Sequence, residues 1–220
     1  MFSNILKDSA PTAFGYIPLG MAFGMLLQGL GFHWIWATIM GTFVFAGAAQ
    51  FLAITLFSQN AEPSEFFCAT LLLNIRHIFY GIAVQKTYSF RGIKKLYTIF
   101  SLTDETFSLV TGDKFRNKNE DWILGISALN HLWWVIGCSI GAGIKTVFAV
   151  DTLGMEFSLT SLFIALIIEK MRKIINLKSI LTGFLIGIAL ALFYNGNHFI
   201  LVGIISSLPV LFIERNGRKT

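Results

Sequence analysis

The sequence predicts an all-α fold, a polytopic integral membrane bundle of about six to eight segments that forms a single domain over residues 1–220. Of its residues, 55% are hydrophobic and only 13% are charged, too few charges to cover a soluble surface. The apolar residues fall in blocks of about 20, the length that crosses a bilayer as a helix. The cations cluster beside these blocks, so the net charge of +5 indicates membrane topology and does not indicate nucleic-acid binding.

The first apolar segment, near residues 11–30, is interrupted by Gly15, Pro18, Gly20 and Gly24. Proline removes a backbone donor and clashes with the preceding turn, so we predict that this segment is broken or re-entrant. A full span would place the N-terminus outside, whereas re-entry would keep it inside. The N-terminal residues lack the pattern of a cleaved signal peptide.

The next two segments are predicted to be continuous spans. Residues 34–57 carry no charge and include a run of small residues at 45–50, where another backbone can approach closely. Residues 66–84 are apolar around a central arginine, Arg76. A charge near the bilayer midplane costs about 2.5–3.5 kcal/mol on insertion scales, so we expect Arg76 to have a function.

Polar side chains follow two stripes on this third segment. Arg76 and Tyr80 share one stripe, and Asn74 and His77 lie on the other. The planar fork of Arg76 suits a substrate carboxylate, but an ion pair with an acidic side chain explains it equally well. His77 is either a proton relay or a neutral histidine satisfied by hydrogen bonds.

A short segment at residues 97–112 carries Thr103, Asp104 and Glu105 at its centre. Basic clusters flank it on both sides, which predicts a broken or re-entrant segment with both ends in the cytoplasm. An amphipathic interfacial helix is the alternative. In a re-entrant segment, Asp104 and Glu105 would bind a substrate ammonium group, carry a coupling proton or pair with Arg76. Helix N-termini at a break near Thr103 or Pro18 would favour anions.

The remaining apolar segments complete the predicted bundle, with the C-terminus in the cytoplasm. If the first segment re-enters, two units of the same orientation, 11–87 and 97–173, form a parallel repeat, followed by a helix pair at 180–213. Small residues four apart predict close helix crossings, and Gln50 and Asn130 are expected to form hydrogen bonds between helices. The last segments are residues 122–144, 157–168, 180–194 and 199–213.

Motif absences limit the function classes. The sequence has no HExxH, GxSxG or Walker-type stretch, and its two cysteines lack metal-ligand spacing. We therefore predict no enzyme, no catalytic residue, no cofactor and no metal. A secondary transporter driven by a gradient is the first hypothesis, with Gln50 and Pro18 also near its pathway. A non-transporting membrane scaffold is the second.

Three stretches together resemble the AzlC family, the large subunits of branched-chain amino acid exporters of the AzlCD/YgaZH type. They are residues 45–51, 74–81 and 102–107. The resemblance implies export of valine, leucine, isoleucine or methionine through the bacterial inner membrane. It also implies a small AzlD-type membrane subunit as partner. Transport of another small metabolite and assembly into homo-oligomers stay open.

Overall fold

In the computed structural model, the described residues form α-helices joined by short connections. They comprise residues 2–84, 90–112, 119–148, 150–152 and 177–193, with isolated residues between 154 and 206. Three of these helices, α1, α4 and α7, are long and apolar enough to cross a membrane. The predicted all-α membrane fold is confirmed. The helices are α1 (Phe2–Gly29), α2 (Ile35–Phe43), α3 (Gly47–Ser58), α4 (Pro63–Val84), α5 (Gly92–Phe100), α6 (Asp104–Thr111), α7 (Glu120–Val147) and α8 (Leu177–Phe193).

The chain divides into two compact units. Unit 1 comprises residues 1–59 and 74–159, and unit 2 comprises residues 60–73 and 160–220. Every side-chain contact discussed below lies within unit 1. In unit 2 the described elements are the N-terminal part of α4 and the apolar helix α8. Most of the predicted segment 157–168 and nearly all of 199–213 lie outside the described residues, as does the C-terminus.

Helices α1 and α7 form the core of unit 1, and glycines bring their backbones together. A Cβ atom added to Gly20 would lie 2.9 Å from the backbone of α7, and one on Gly137 would lie 2.7 Å from the backbone of α1. Gly24 and Gly141 make still closer approaches. The two glycine pairs therefore face each other in a tight helix crossing, as small residues four apart predict.

The prediction of a break near residues 11–30 is wrong. Helix α1 runs without interruption through both Pro11 and Pro18. A proline inside a helix costs about 3 kcal/mol because one hydrogen bond is lost. Packing along α7 offsets that cost, since α1 buries Phe23 and Leu27 almost completely in this contact.

The predicted span at residues 34–57 is broken instead. Helix α2 ends at Phe43, α3 begins at Gly47, and Phe45 between them has a positive φ of 41°. Such a φ is strained for a phenylalanine, so packing must stabilise it. The Phe45 ring is 4% exposed and lies 4.5 Å from the His131 ring between centroids. Tertiary packing thus outweighs the apolar pattern that predicts one continuous helix.

The predicted break within residues 97–112 is present. Helices α5 and α6 are separated by the three residues 101–103. That both ends of this segment face the cytoplasm stays a prediction. The repeat of 11–87 and 97–173 also stays a prediction, but it loses one premise because the first segment of its first unit is unbroken. The single-domain assignment is likewise untested.

Candidate functional site

The break before α6 brings two carboxylates to a helix N-terminus. Thr103 is the N-cap, and its hydroxyl oxygen accepts a hydrogen bond from the backbone N–H of Thr106 at 3.3 Å. Asp104 and Glu105 occupy the first turn. Acidic side chains are common in the first turn of a helix, because the partial positive charge of the N-terminus attracts negative charge. This end of α6 therefore has its cap and its negative charge in place.

Arg76 of α4 forms an ion pair with Asp104 of α6. Nη1 of Arg76 lies 2.9 Å from Oδ2 of Asp104, and the two side chains are 26% and 14% exposed. The hydroxyl of Tyr80, one turn along α4, donates to the other oxygen, Oδ1. The Tyr80 ring stacks on Phe107 at 4.4 Å. Both oxygens of Asp104 are thus engaged, and the sequence prediction that Arg76 has an acidic neighbour agrees with this geometry.

One nitrogen of the Arg76 guanidinium, Nε, takes no part in the ion pair. This Nε is fully buried and has no hydrogen-bond partner among the described residues. Asp104 contacts Nη1 only, so the pairing is not the two-bond fork that gives the strongest arginine–carboxylate recognition. An ion pair made through one nitrogen can open more easily than a bidentate one.

Glu105 has a different partner, Tyr16 of α1. The Tyr16 hydroxyl donates to Oε2 of Glu105 at 2.6 Å and lies 2.7 Å from the hydroxyl oxygen of Thr103. Tyr16 is not among the site residues that the sequence predicts. The usable signal was its hydroxyl in an otherwise apolar span, because a buried tyrosine O–H usually needs an acceptor.

A chain of hydrogen bonds connects the start of α6 to helices α7 and α1. Nδ2 of Asn130 donates to the Thr106 hydroxyl at 3.0 Å, and Oδ1 of Asn130 accepts from Ser9 at 2.8 Å. The indole N–H of Trp133 donates to the Ser9 hydroxyl at 3.0 Å. Asn130 therefore joins α1, α6 and α7, which agrees with the hydrogen bonding between helices expected of it.

Gln50 lies at the other break, close to the start of α3. It is fully buried, and its Oε1 accepts from the indole N–H of Trp134 at 2.8 Å. Its Nε2 has no partner among the described residues. Trp134 also covers Gly47, where an added Cβ would lie 3.1 Å from the indole ring.

The two breaks are neighbours through aromatic contacts. The Tyr16 ring packs edge-on against Trp134 at 5.4 Å and against Phe45 at 6.3 Å between centroids. Phe45 in turn lies 6.3 Å from Phe100, the last residue of α5. Tyr16 thus contacts the α2–α3 break with its ring and the α5–α6 break with its hydroxyl.

Three of the predicted site residues, Asn74, His77 and Pro18, lie apart from the contacts around the two helix breaks. Nδ1 of His77 lies 3.1 Å from the backbone oxygen of Asn74, so the imidazole is engaged within its own helix. His77 also lines an open depression of about 520 Å³ that includes Lys95. Pro18 lies on an exposed side of α1. The structure brings together Arg76, Tyr80, Thr103, Asp104 and Glu105, with Gln50 at the adjoining break.

The fold and this buried polar centre define a polytopic helical membrane protein. Residues 11–148 match the family model described as AzlC protein. The chain belongs to the AzlC family, as its three resembling stretches predict.

Relatives of the chain are membrane and transport proteins. The branched-chain amino acid transport protein AzlC of Bacillus subtilis (strain 168) is 35% identical over 97% of this chain and 85% of its own length. A membrane protein of Helicobacter pylori (strain ATCC 700392 / 26695) is 33% identical over 97% and 96%. The inner membrane protein YgaZ of Escherichia coli (strain K12) is 28% identical over 78% and 74%. No solved structure matches the chain.

Proposed function

We propose that this chain is the large subunit of a secondary transporter that exports branched-chain amino acids through the bacterial inner membrane. Its substrates are valine, leucine and isoleucine, with methionine or close analogues as further candidates. It works with a small membrane subunit of the AzlD type, and its C-terminus lies in the cytoplasm. The reaction is transport, without a catalytic residue, a cofactor or a metal.

The observation that carries this proposal is the ion pair between Arg76 and Asp104 at a helix break. A charge pair inside an apolar protein is costly to build, and residues that carry such a cost in membrane proteins commonly serve a substrate or ion pathway. Helix breaks recur in transporters because unwound backbone is tolerated where it lines a cavity. The name of the Bacillus subtilis relative supplies the substrate class.

In this proposal the Arg76–Asp104 pair acts as a latch. It closes the pathway when formed and opens when substrate passes. Contact through the single nitrogen Nη1 suits such a role, because a pair that must break repeatedly cannot be held too strongly. Glu105 offers a carboxylate to the ammonium group of an amino acid. Among the described residues, no lysine or arginine forms a salt bridge with Glu105.

Efflux from cells loaded with dipeptides tests this function. Cells that express the chain with its small partner subunit should release leucine from a leucine dipeptide faster than cells with an empty vector. Omitting either subunit tests the partnership, because the proposal expects full export only with both. Efflux equal to the empty vector in every combination would refute the exporter.

A scaffold function is the second candidate, and the Asn130 hydrogen bonds that join three helices favour it. The paired substitution of Arg76→Gln with Asp104→Asn separates the two functions. A scaffold would keep the full activity of its complex, because both charges leave together. The transporter loses efflux at normal expression. Membrane abundance measured by immunoblot provides the expression control.

A further inference from the structure

The first turn of α3 has backbone hydrogen-bond donors that no described side chain caps. Its N-cap residue is Ala46, which has no side chain able to cap the helix, and the first turn contains no acidic residue. The backbone N–H of Gln50 reaches the oxygen of Ala46 at 2.9 Å, so the N–H groups of residues 47–49 have no partner within the helix. Such groups, with the helix dipole, favour an anion.

The carboxamide of Gln50 adds a second and independent donor at the same place. The indole N–H of Trp134 can only donate, so the atom that it meets in Gln50 must be the carbonyl oxygen. This contact determines which end of the amide is which, and it leaves Nε2 as the free end. Nε2 is buried without a partner among the described residues, and a buried donor left unpaired is costly.

Trp134 places this free amide beside the helix start. The indole whose N–H binds Gln50 also lies over Gly47, the first residue of α3, where an added Cβ would lie 3.1 Å from the ring. Gln50 itself lies one turn into α3, and side chains of a helix lean towards its N-terminus. Gln50 is the fourth residue of α3, so its Nε2 donor and the backbone N–H groups of residues 47–49 belong to the same first turns of the helix.

We propose that the N-terminus of α3 and Nε2 of Gln50 bind the carboxylate of the transported amino acid. This inference rests on the proposed function, and it assigns the carboxylate to a different position from Arg76, whose partner in the closed pathway is Asp104. A carboxylate accepts several N–H bonds at once and carries the negative charge that the helix dipole favours. The Tyr16 ring lies against this break while its hydroxyl contacts Glu105, so the ammonium group of the same substrate has a carboxylate within the same centre.

Two substitutions test the site in opposite ways. Gln50→Glu keeps an acceptor for Trp134 but removes the Nε2 donor and adds a negative charge. Ala46→Asp supplies an N-cap carboxylate of its own, which should stabilise α3 while occupying the donors. Both should weaken leucine binding about tenfold or more. Gln59→Glu, at the exposed C-terminal end of α3, is the matched control and should bind leucine as the wild type does.

Binding is measured on the complete complex with its small partner subunit, as the rise in melting temperature caused by L-leucine. The amine 3-methylbutylamine, which is leucine without its carboxylate, should produce no rise in the wild type. The inference is supported when leucine stabilises the wild type and Gln59→Glu, but stabilises neither Gln50→Glu nor Ala46→Asp. If Gln50→Glu fails to fold, the rise in melting temperature of Ala46→Asp with L-leucine tests the site by itself.

The outcomes separate the inference from the proposed function. Leucine efflux and leucine stabilisation that persist unchanged in Ala46→Asp would overturn the α3 site and leave the transporter standing. Equal stabilisation of the wild type by leucine and by 3-methylbutylamine would also overturn it, because the carboxylate would then contribute nothing. A wild-type complex that neither binds nor exports leucine would overturn both.

Discussion

The two helix breaks of unit 1 have opposite chemistry. At residues 101–103 the following helix, α6, begins with a threonine cap and two carboxylates, and its N-terminus is neutralised. At residues 44–46 the following helix, α3, has an alanine as its N-cap and no acid in its first turn. Nε2 of Gln50 has no partner there among the described residues. One break offers acceptors and the other offers donors.

This difference matches a zwitterion. An amino acid carries one group that needs acceptors and one that needs donors, and the ring and hydroxyl of Tyr16 touch one break each. Two breaks with the same chemistry would leave one end of such a substrate without a partner. The difference between the acceptors at one break and the donors at the other is therefore the feature to test by substitution.

Removing Asp104 should have the largest effect on the acidic break. Asp104→Asn leaves Arg76 charged without its partner, and arginine cannot lose its proton in a protein. We expect a loss of about 3 kcal/mol in the free energy of unfolding, together with loss of efflux. Arg76→Gln should cost less, because the remaining Asp104 can become neutral by binding a proton. Thermal unfolding of the purified complex measures both.

The asymmetry between these two variants is the critical result. Equal melting temperatures for Asp104→Asn and Arg76→Gln would contradict the argument that the unpaired arginine is the costlier of the two residues to leave behind. Exchanging the two residues, Arg76→Asp with Asp104→Arg, should recover folding better than either single charge reversal does. Failure of the exchange to recover any stability would argue that the surrounding contacts, such as Tyr80 with Asp104, determine the orientation.

Widening the contact of α1 with α7 should disturb both breaks together, since Tyr16 reaches them from α1. Gly141→Ala would place a methyl group against the backbone of Met21. The helices would have to separate, at a cost of about 2 kcal/mol. Gly143→Ala is the control on the same helix, because nothing lies within 4 Å of its added Cβ. That variant should be neutral or slightly stabilising through helix propensity. Melting temperatures that fall equally in the two variants would contradict the close contact.

The acidic break could be predicted from the sequence because its signals are local. Asp104 and Glu105 stand out in a short apolar segment, and Thr103 precedes them as a helix cap. Arg76 stands out for the same reason, since a charge in an apolar span is visible without any structure. The charge of each of these side chains indicates its importance without knowledge of the fold.

The other break could not be predicted because its cause is tertiary. Residues 34–57 read as one apolar helix, and the positive φ of Phe45 depends on packing against His131, which lies far along the chain. Pro18 has the opposite outcome: the proline predicts a break, but α1 continues through it because α1 packs along α7. The hydroxyl of Tyr16 in an apolar segment predicts that some acceptor is near, but its acceptor Glu105 lies far along the chain and is identified only by the fold.

Loss of the Tyr16 hydroxyl should weaken the link between the breaks by a smaller amount. Tyr16→Phe keeps the ring contacts with Phe45 and Trp134 but removes the hydrogen bond to Glu105. We expect about 1.5 kcal/mol of destabilisation, as for a hydrogen bond to a charged group. Tyr16→Leu removes the ring as well and should cost more. A melting temperature for Tyr16→Phe equal to that of the wild type would show that the hydroxyl contact is dispensable.

The smallest expected effect comes from the cap that distinguishes the two breaks. Thr103→Ala makes the start of α6 resemble that of α3 by removing its N-cap oxygen, at a cost of about 1 kcal/mol. Thr111→Ala, at the other end of α6, is the matched control, because its hydroxyl bonds only to the oxygen of Phe107 within the helix. The measurement is the difference in melting temperature between the two variants. A cap that is needed only for helix stability should leave leucine efflux intact in Thr103→Ala. A fall in efflux larger than the loss of stability explains would instead mean that Thr103, which also lies 2.7 Å from the Tyr16 hydroxyl, positions that hydroxyl for Glu105.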